Sequence, residues 1–191
     1  MEPLLSIRIP AFVAELVARA GALDSDEARM QLAIALAQTN VEQGGGPFGA
    51  VVYSGSRVVA AGVNRVLDSG LSIAHAEIVA LMHAQQLLRG TTHSVPLALF
   101  TSAEPCCQCF GAIVWSGIDR LVCGAVTADA EAIGFDEGPK PATWSDELVR
   151  RGIQVTEQVC RDEARAVLED YARRGGPIYG LRHPTVPKQP R

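Results

Sequence analysis

No run of about 18 consecutive uncharged apolar residues occurs in this 191-residue chain, so no membrane-spanning helix is expected. Near the N-terminus, Glu2, Arg8 and Glu15 interrupt the apolar stretch that a secretory leader needs. Positive charge is not in excess either: 17 Lys and Arg stand against 21 Asp and Glu, a net charge of −4. A surface built for phosphate backbones shows a basic footprint, so a nucleic-acid partner is not expected. The basic pairs Arg150–Arg151 and Arg173–Arg174 read as solvated helix faces. The cysteines number five, an odd count that does not suit a disulfide framework and points to free thiols or a metal site. Cys123 and Cys160 stand alone in apolar stretches and read as buried packing thiols. Internal repeats and low-complexity blocks are also missing. The expectation is a soluble, cytoplasmic protein with a single domain over 1–181, including a helical extension over 1–22, and a mobile, proline- and base-containing arm over 182–191.

The order of elements follows from hydrophobic period and breakers. An amphipathic helix is expected to start after Pro10 and run to about residue 20. A second helix opens at a capping box formed by Asp24 and Glu27 and runs to about Asn40. Gly44-Gly45-Gly46-Pro47 breaks the chain, and strands at 48–53 and 57–63 form a hairpin across Ser54-Gly55-Ser56. Helices at 75–88, 107–116, 144–151 and 163–173 alternate with strands at 97–101, 120–125 and 153–156. Strands joined through helices pair in parallel, with the helices on the sheet faces, so the helix at 144–151 makes the fifth strand parallel to the fourth.

Two short motifs carry chemistry. His75-Ala76-Glu77 opens one predicted helix, and Pro105-Cys106-Cys107-Gln108-Cys109 enters another. A three-residue separation within a first helical turn lets Cys106 and Cys109 face one point. With His75 they make three ligands, the set of a catalytic zinc with an open fourth position. Helix N-termini favour thiolate over thiol. Glu77 lies two residues past the histidine, where it can flank a metal without binding it. Cys107 sits at the wrong angle to share the ion. His83 lies two turns along the same helix and reads as a polar helix residue, while His93 and His183 lie in a loop and the tail with no visible partner. Trp115 reads as core, with substrate contact as the alternative. H-x-E followed by P-C-x-x-C is the signature of zinc deaminases acting on nucleobases.

On these residues the chain resembles the cytidine deaminase superfamily, and within it the bacterial guanine deaminases. The resemblance spans roughly residues 28–180. Besides the metal motifs, it rests on 46–50 (GPFGA), Asn64, 101–106 (TSAEPC), 109–112 (CFGA) and the narrower 131–139 (EAIGFDEGP). It implies a three-layer α/β/α sandwich around a mixed five-stranded sheet. It also implies zinc on His75, Cys106 and Cys109, with Glu77 as the proton shuttle. Asn64 would donate a hydrogen bond to the base, Phe48 would pack on its plane and the Ala76 N–H would face its ring. Ser102 and Trp115 would belong to the substrate site. Glu137 would approach the exocyclic amine, with Asp136 as its competitor, and Tyr179 would close over the pocket. A homodimer is the family's usual assembly.

The resemblance departs at Cys107 and Gln108, where relatives carry Pro or Val and then Met, and in the N-terminal twenty residues, which have no counterpart. The function so implied is hydrolysis of guanine to xanthine and ammonia. Ammeline or another s-triazine, guanosine, cytosine or cytidine, and adenosine in tRNA are alternatives in the same fold. A zinc-stabilised binding module without turnover is the alternative outside it, and it would have no use for Glu77.

Overall fold

The computed structural model describes residues 6–90 and 95–179. His93, His183 and the arm at 182–191 lie outside the described residues. Five strands form one sheet in the order β2-β1-β3-β4-β5: β1 (Gly49–Ser54), β2 (Arg57–Val63), β3 (Leu97–Ala103), β4 (Arg120–Ala125) and β5 (Gln154–Thr156). β1 pairs antiparallel with β2 and β3, whereas β3–β4 and β4–β5 are parallel. The parallel fifth strand is therefore as the crossover helix required.

Strand alternation divides the core into two layers. Val51, Tyr53, Phe100 and Val122 point to one face, Ala50, Val52, Leu99, Leu121 and Cys123 to the other. On the first face lie α1 (Ala11–Ala20), α2 (Asp26–Glu42) and α8 (Arg161–Arg173), which bury Phe12, Met30, Leu36, Val167 and Leu168. On the second lie α4 (Ala76–Leu88), α5 (Cys107–Ser116) and α7 (Trp144–Val149), which bury Ala80, Ile113 and Leu148. This is the expected three-layer sandwich. Gly62 on β2 lets α4 lie close: a Cβ there would come within 2.5 Å of the Ala80 nitrogen and 2.6 Å of the Ala76 oxygen, both backbone atoms.

Several expectations need correction. The cap of α2 is Ser25, whose side chain accepts the Ala28 N–H, so the helix opens one residue later than the Asp24 reading. Two short helices were not anticipated, α3 (Val66–Ser69) and α6 (Thr127–Ala132). Each is too short to show a helical period. Cys123 is fully buried, but Cys160 is only half-buried and takes φ +52° as the cap of α8. The basic pairs behave as solvated helix faces: Arg150 and Arg151 both pair with Glu147, and Arg173 and Arg174 with Asp170. Among the described residues no helix is long and apolar enough to cross a membrane.

Candidate metal centre and substrate cavity

The N-termini of α4 and α5 converge beyond the sheet. His75 is the residue before α4 and Cys106 the residue before α5, both with extended backbone and neither using its side chain as a cap. Their side chains are therefore free to turn toward each other, beside helix ends that carry partial positive charge. Cys109 follows in the first turn of α5. The Nδ1 of His75 lies 3.4 Å from Cys106 Sγ and 3.5 Å from Cys109 Sγ. The three ligand atoms all fall within 4.8 Å of one another.

These separations suit a tetrahedral ion. Zinc bonds of about 2.3 Å to sulfur and 2.0–2.1 Å to nitrogen put N and S roughly 3.6 Å apart. Charge gives the same answer. Hydrogen bonding from Cys109, opposed by burial and helped by His75, holds the Cys106 thiol down at about 4, a thiolate. Cys109, as the donor to that thiolate, is pushed up. For His75, burial acts downward, but the Cys106 hydrogen bond and the Glu77 carboxyl outweigh it and the pKa rises. Burial first, then the Cys106 charge, lifts Glu77 to about 7. The same two causes, with Glu77 added, lift Glu137 to about 8, against the opposing pull of Lys140. A thiolate and two carboxyls thus crowd one buried site and repel one another. A divalent cation bound by the imidazole and thiols would relieve that crowding, so the donor set fits zinc.

Beside the triad is a cavity of about 250 Å³ whose wall includes Phe48, Asn64, Glu77, Cys107, Phe135, Glu137 and Tyr179. Phe135 forms an aromatic corner with Phe48 and Tyr179, its ring edge-on to both at 5.1 and 5.0 Å. The Asn64 Oδ1 accepts the Val66 N–H at 3.1 Å, which leaves the amide nitrogen as the end able to donate to a ligand. Among the described residues the Tyr179 hydroxyl is buried without a hydrogen-bond partner. Gly46 makes room for it, since a Cβ there would lie 1.9 Å from that oxygen. Glu137 is buried and on the wall, and its carbonyl accepts the Cys107 N–H at 2.8 Å. Asp136 is exposed, and its Oδ1 is taken up by the Gly138 N–H at 2.9 Å.

Two expected site residues stand elsewhere. The Ser102 hydroxyl is buried in the sheet, accepting the Gly49 N–H at 3.1 Å and tying β3 to β1. Ala76 opens α4 between His75 and Glu77, with its side chain in the second core layer. Trp115 is neither core nor cavity wall: it is 85% exposed at the end of α5. The buried stripe of that helix runs through Cys109 and Ile113, and Trp115 is about 200° around the axis from Ile113. The cavity also uses residues given no role in the sequence reading. Phe135 lies within a segment singled out for its acids, and Cys107 was assigned only a bystander's part. Asn40 was read only as a helix end. Its position in a glycine-rich approach to a strand was the available signal.

A family model for the zinc-binding region of cytidine and deoxycytidylate deaminases matches residues 23–125. A solved guanine deaminase from Nitrosomonas europaea is similar at 42% identity and a TM-score of 0.84, covering 91% of this chain and 98% of that one. A guanine deaminase of Bacillus subtilis is 38% identical over 112 residues, 58% of this chain and 71% of its own length. A tRNA-specific adenosine deaminase of the same organism is 35% identical over 151 residues, 79% of this chain and 91% of its own.

Proposed function

Because the chain belongs to the cytidine and deoxycytidylate deaminase family, we propose that its cavity hydrolyses the exocyclic amine of a free base, guanine, to give xanthine and ammonia. One observation carries the reading: Glu77 and Glu137 are both buried on the wall of the cavity that borders the His75–Cys106–Cys109 triad. Zinc on that triad, when bound, lowers the pKa of a water molecule to about 7.

Glu77 then accepts the water proton and delivers it to the ring nitrogen beside the amine-bearing carbon. Glu77 is buried on the cavity wall beside the triad, the place from which a carboxyl can act as general base and then general acid. The water oxygen adds to the carbon as the ring nitrogen is protonated; Glu77 then passes the proton of the added hydroxyl to the amine, and the carbonyl forms as the C–N bond breaks and ammonia leaves. Phe48 and Phe135 pack on the base, and the Asn64 amide donates to an acceptor on it. The N1–H and amine of guanine are donors, which an ionised carboxylate accepts. Glu137, ionised once a bound cation offsets the neighbouring thiolate and Glu77 charges that push it up, fills that role in preference to Asp136, whose carboxylate is exposed and already engaged.

The similarity to a tRNA-specific adenosine deaminase supports a second reading, adenosine in tRNA. The acidic balance of the chain and the pairing of Arg150, Arg151, Arg173 and Arg174 with acids favour the free base. Ammonia release from zinc-loaded protein on guanine, guanosine, ammeline, cytosine, cytidine, adenine and tRNA separates these. Guanine is expected to give the highest kcat/KM. A higher value on tRNA, or on cytosine or cytidine, would overturn the reading.

A further inference from the structure

The loop that carries Glu137 is fixed to the turn that carries Cys106 at two points. At one, the Glu137 carbonyl accepts the Cys107 N–H at 2.8 Å. At the other, the Lys140 Nζ donates to the Pro105 carbonyl at 2.9 Å. The acid on one segment and the thiolate on the other are thus bracketed between two cross-links. We propose that Lys140 is the positioning residue for Glu137, holding its carboxyl in place on the cavity wall without touching substrate. The proposal rests on the role given to Glu137 above.

The surroundings of the ammonium show a built anchor rather than a surface lysine. Its side chain is only 7% exposed. A second N–H is donated to Thr127 Oγ1 at 2.7 Å, and that hydroxyl donates in turn to Glu104 Oε2 at 2.6 Å, which also accepts the Thr127 N–H at 3.0 Å. Glu104 itself lies 3.6 Å from the ammonium, and the Trp144 ring sits 4.8 Å below it. A long apolar side chain would cover Trp144 with no desolvation penalty, so packing alone does not explain a buried charge. An apolar group could not hold the Pro105 carbonyl. Pro139 and Pro141 flank the lysine and narrow its backbone freedom, and the Lys140 N–H donates to the Gly138 carbonyl at 2.9 Å, which ties the anchor back toward the acid.

A double-mutant cycle tests this. Guanine kcat/KM, zinc content and Tm are measured for Lys140→Met, Glu137→Gln and the double variant. A displacement of about 1 Å in a reacting geometry costs up to ~100-fold, so Lys140→Met is expected to lose roughly 10- to 100-fold in kcat/KM with zinc retained. In the Glu137→Gln background the same change should cost less than about twofold, because the group it positions is gone. Lys140→Gln, which keeps a donor for Pro105, should lose less than Lys140→Met. Should Lys140→Met fail to fold, Lys140→Ala, which also removes the donor to Pro105, takes its place in the cycle. If Glu137→Gln is impaired while the lysine change is silent, or costs the same in both backgrounds, the positioning role alone is overturned. If Glu137→Gln is itself silent on guanine, the role of Glu137 falls, and the proposal with it.

Discussion

The side-chain nitrogen of Asn40 donates to the Asn64 carbonyl at 2.9 Å and to the Gly46 carbonyl at 2.8 Å. A single buried amide on α2 therefore fixes the two segments that bring Asn64 and the Gly46–Phe48 approach to the cavity. Asn40 is 1% exposed and is not part of the cavity wall. Aspartate at this position would bring acceptor against acceptor. Leaving buried carbonyls unpaired costs about 1–3 kcal/mol each. Asn40→Asp is expected to lower Tm and raise the KM for guanine more than it lowers kcat. Steady-state kinetics on the folded fraction checks this, and an unchanged KM would remove Asn40 from the support of the site.

Glu77→Gln keeps the shape of the side chain but cannot carry protons. General acid–base catalysis is worth about 10²–10⁴ for each step, and Glu77 serves more than one. Turnover should drop by at least about three orders of magnitude, with zinc content and fold retained. A variant with wild-type kcat would remove Glu77 from the chemistry.

Cys107 is a wall residue and not a ligand, so Cys107→Ala should keep full zinc occupancy and activity within a few-fold. Gly138 is less tolerant. It has φ +70°, and a Cβ would lie 2.4 Å from Cys107 Sγ. Left-handed backbone alone costs a non-glycine residue about 1–2 kcal/mol. Gly138→Ala should displace the acid loop and lower kcat/KM. The double variant with Cys107→Ala should recover only part of the loss, because the clash is removed and the backbone strain is not. Equal activity of Gly138→Ala and wild type would show that the loop does not hold Glu137 in place.

Acid stability should depend on Asp129. Arg161 binds it with two hydrogen bonds, Nε to Oδ2 at 2.9 Å and Nη2 to Oδ1 at 3.0 Å, and Oδ2 also accepts the Val126 N–H. The Arg161 hydrogen bonds, against a smaller opposing effect of burial, hold the carboxyl below the ordinary value of 3.8. A lowered folded-state pKa gives stability that is complete above the unfolded pKa and is lost as pH falls through the folded one. The contribution is thus present from pH 4–5 upward and disappears below about pH 4. Asp129→Asn should lower Tm at pH 7 and flatten the decline of Tm between pH 5 and pH 3. Parallel Tm–pH curves for the two proteins would count against the pairing.

Much of this molecule can be read before it is seen, for local reasons. Helix α5 and strand β4 fall at the expected residues because Gly117, at φ +78°, is a clear stop between two apolar runs. The metal triad is legible because its spacing is itself the chemistry. Other features needed the third dimension. Asp24, Ser25 and Asp26 each suit a cap, and only the backbone path selects Ser25. An apolar helix such as α5 does not announce which face is covered, so Trp115 was placed inward when it points out. Phe135 and Lys140 lie in a loop with no period, and nothing in their neighbourhoods marks them, while Asn40 is hinted at only by the glycines that follow it and reaches Asn64 across 24 residues.

Metal analysis of the purified wild-type protein is the most direct test, because every chemical step described depends on His75, Cys106 and Cys109 holding an ion. The expected result is one zinc per chain in protein that releases ammonia from guanine, with both lost together on chelation. Protein that deaminates guanine while containing no zinc or similar divalent ion would contradict the account.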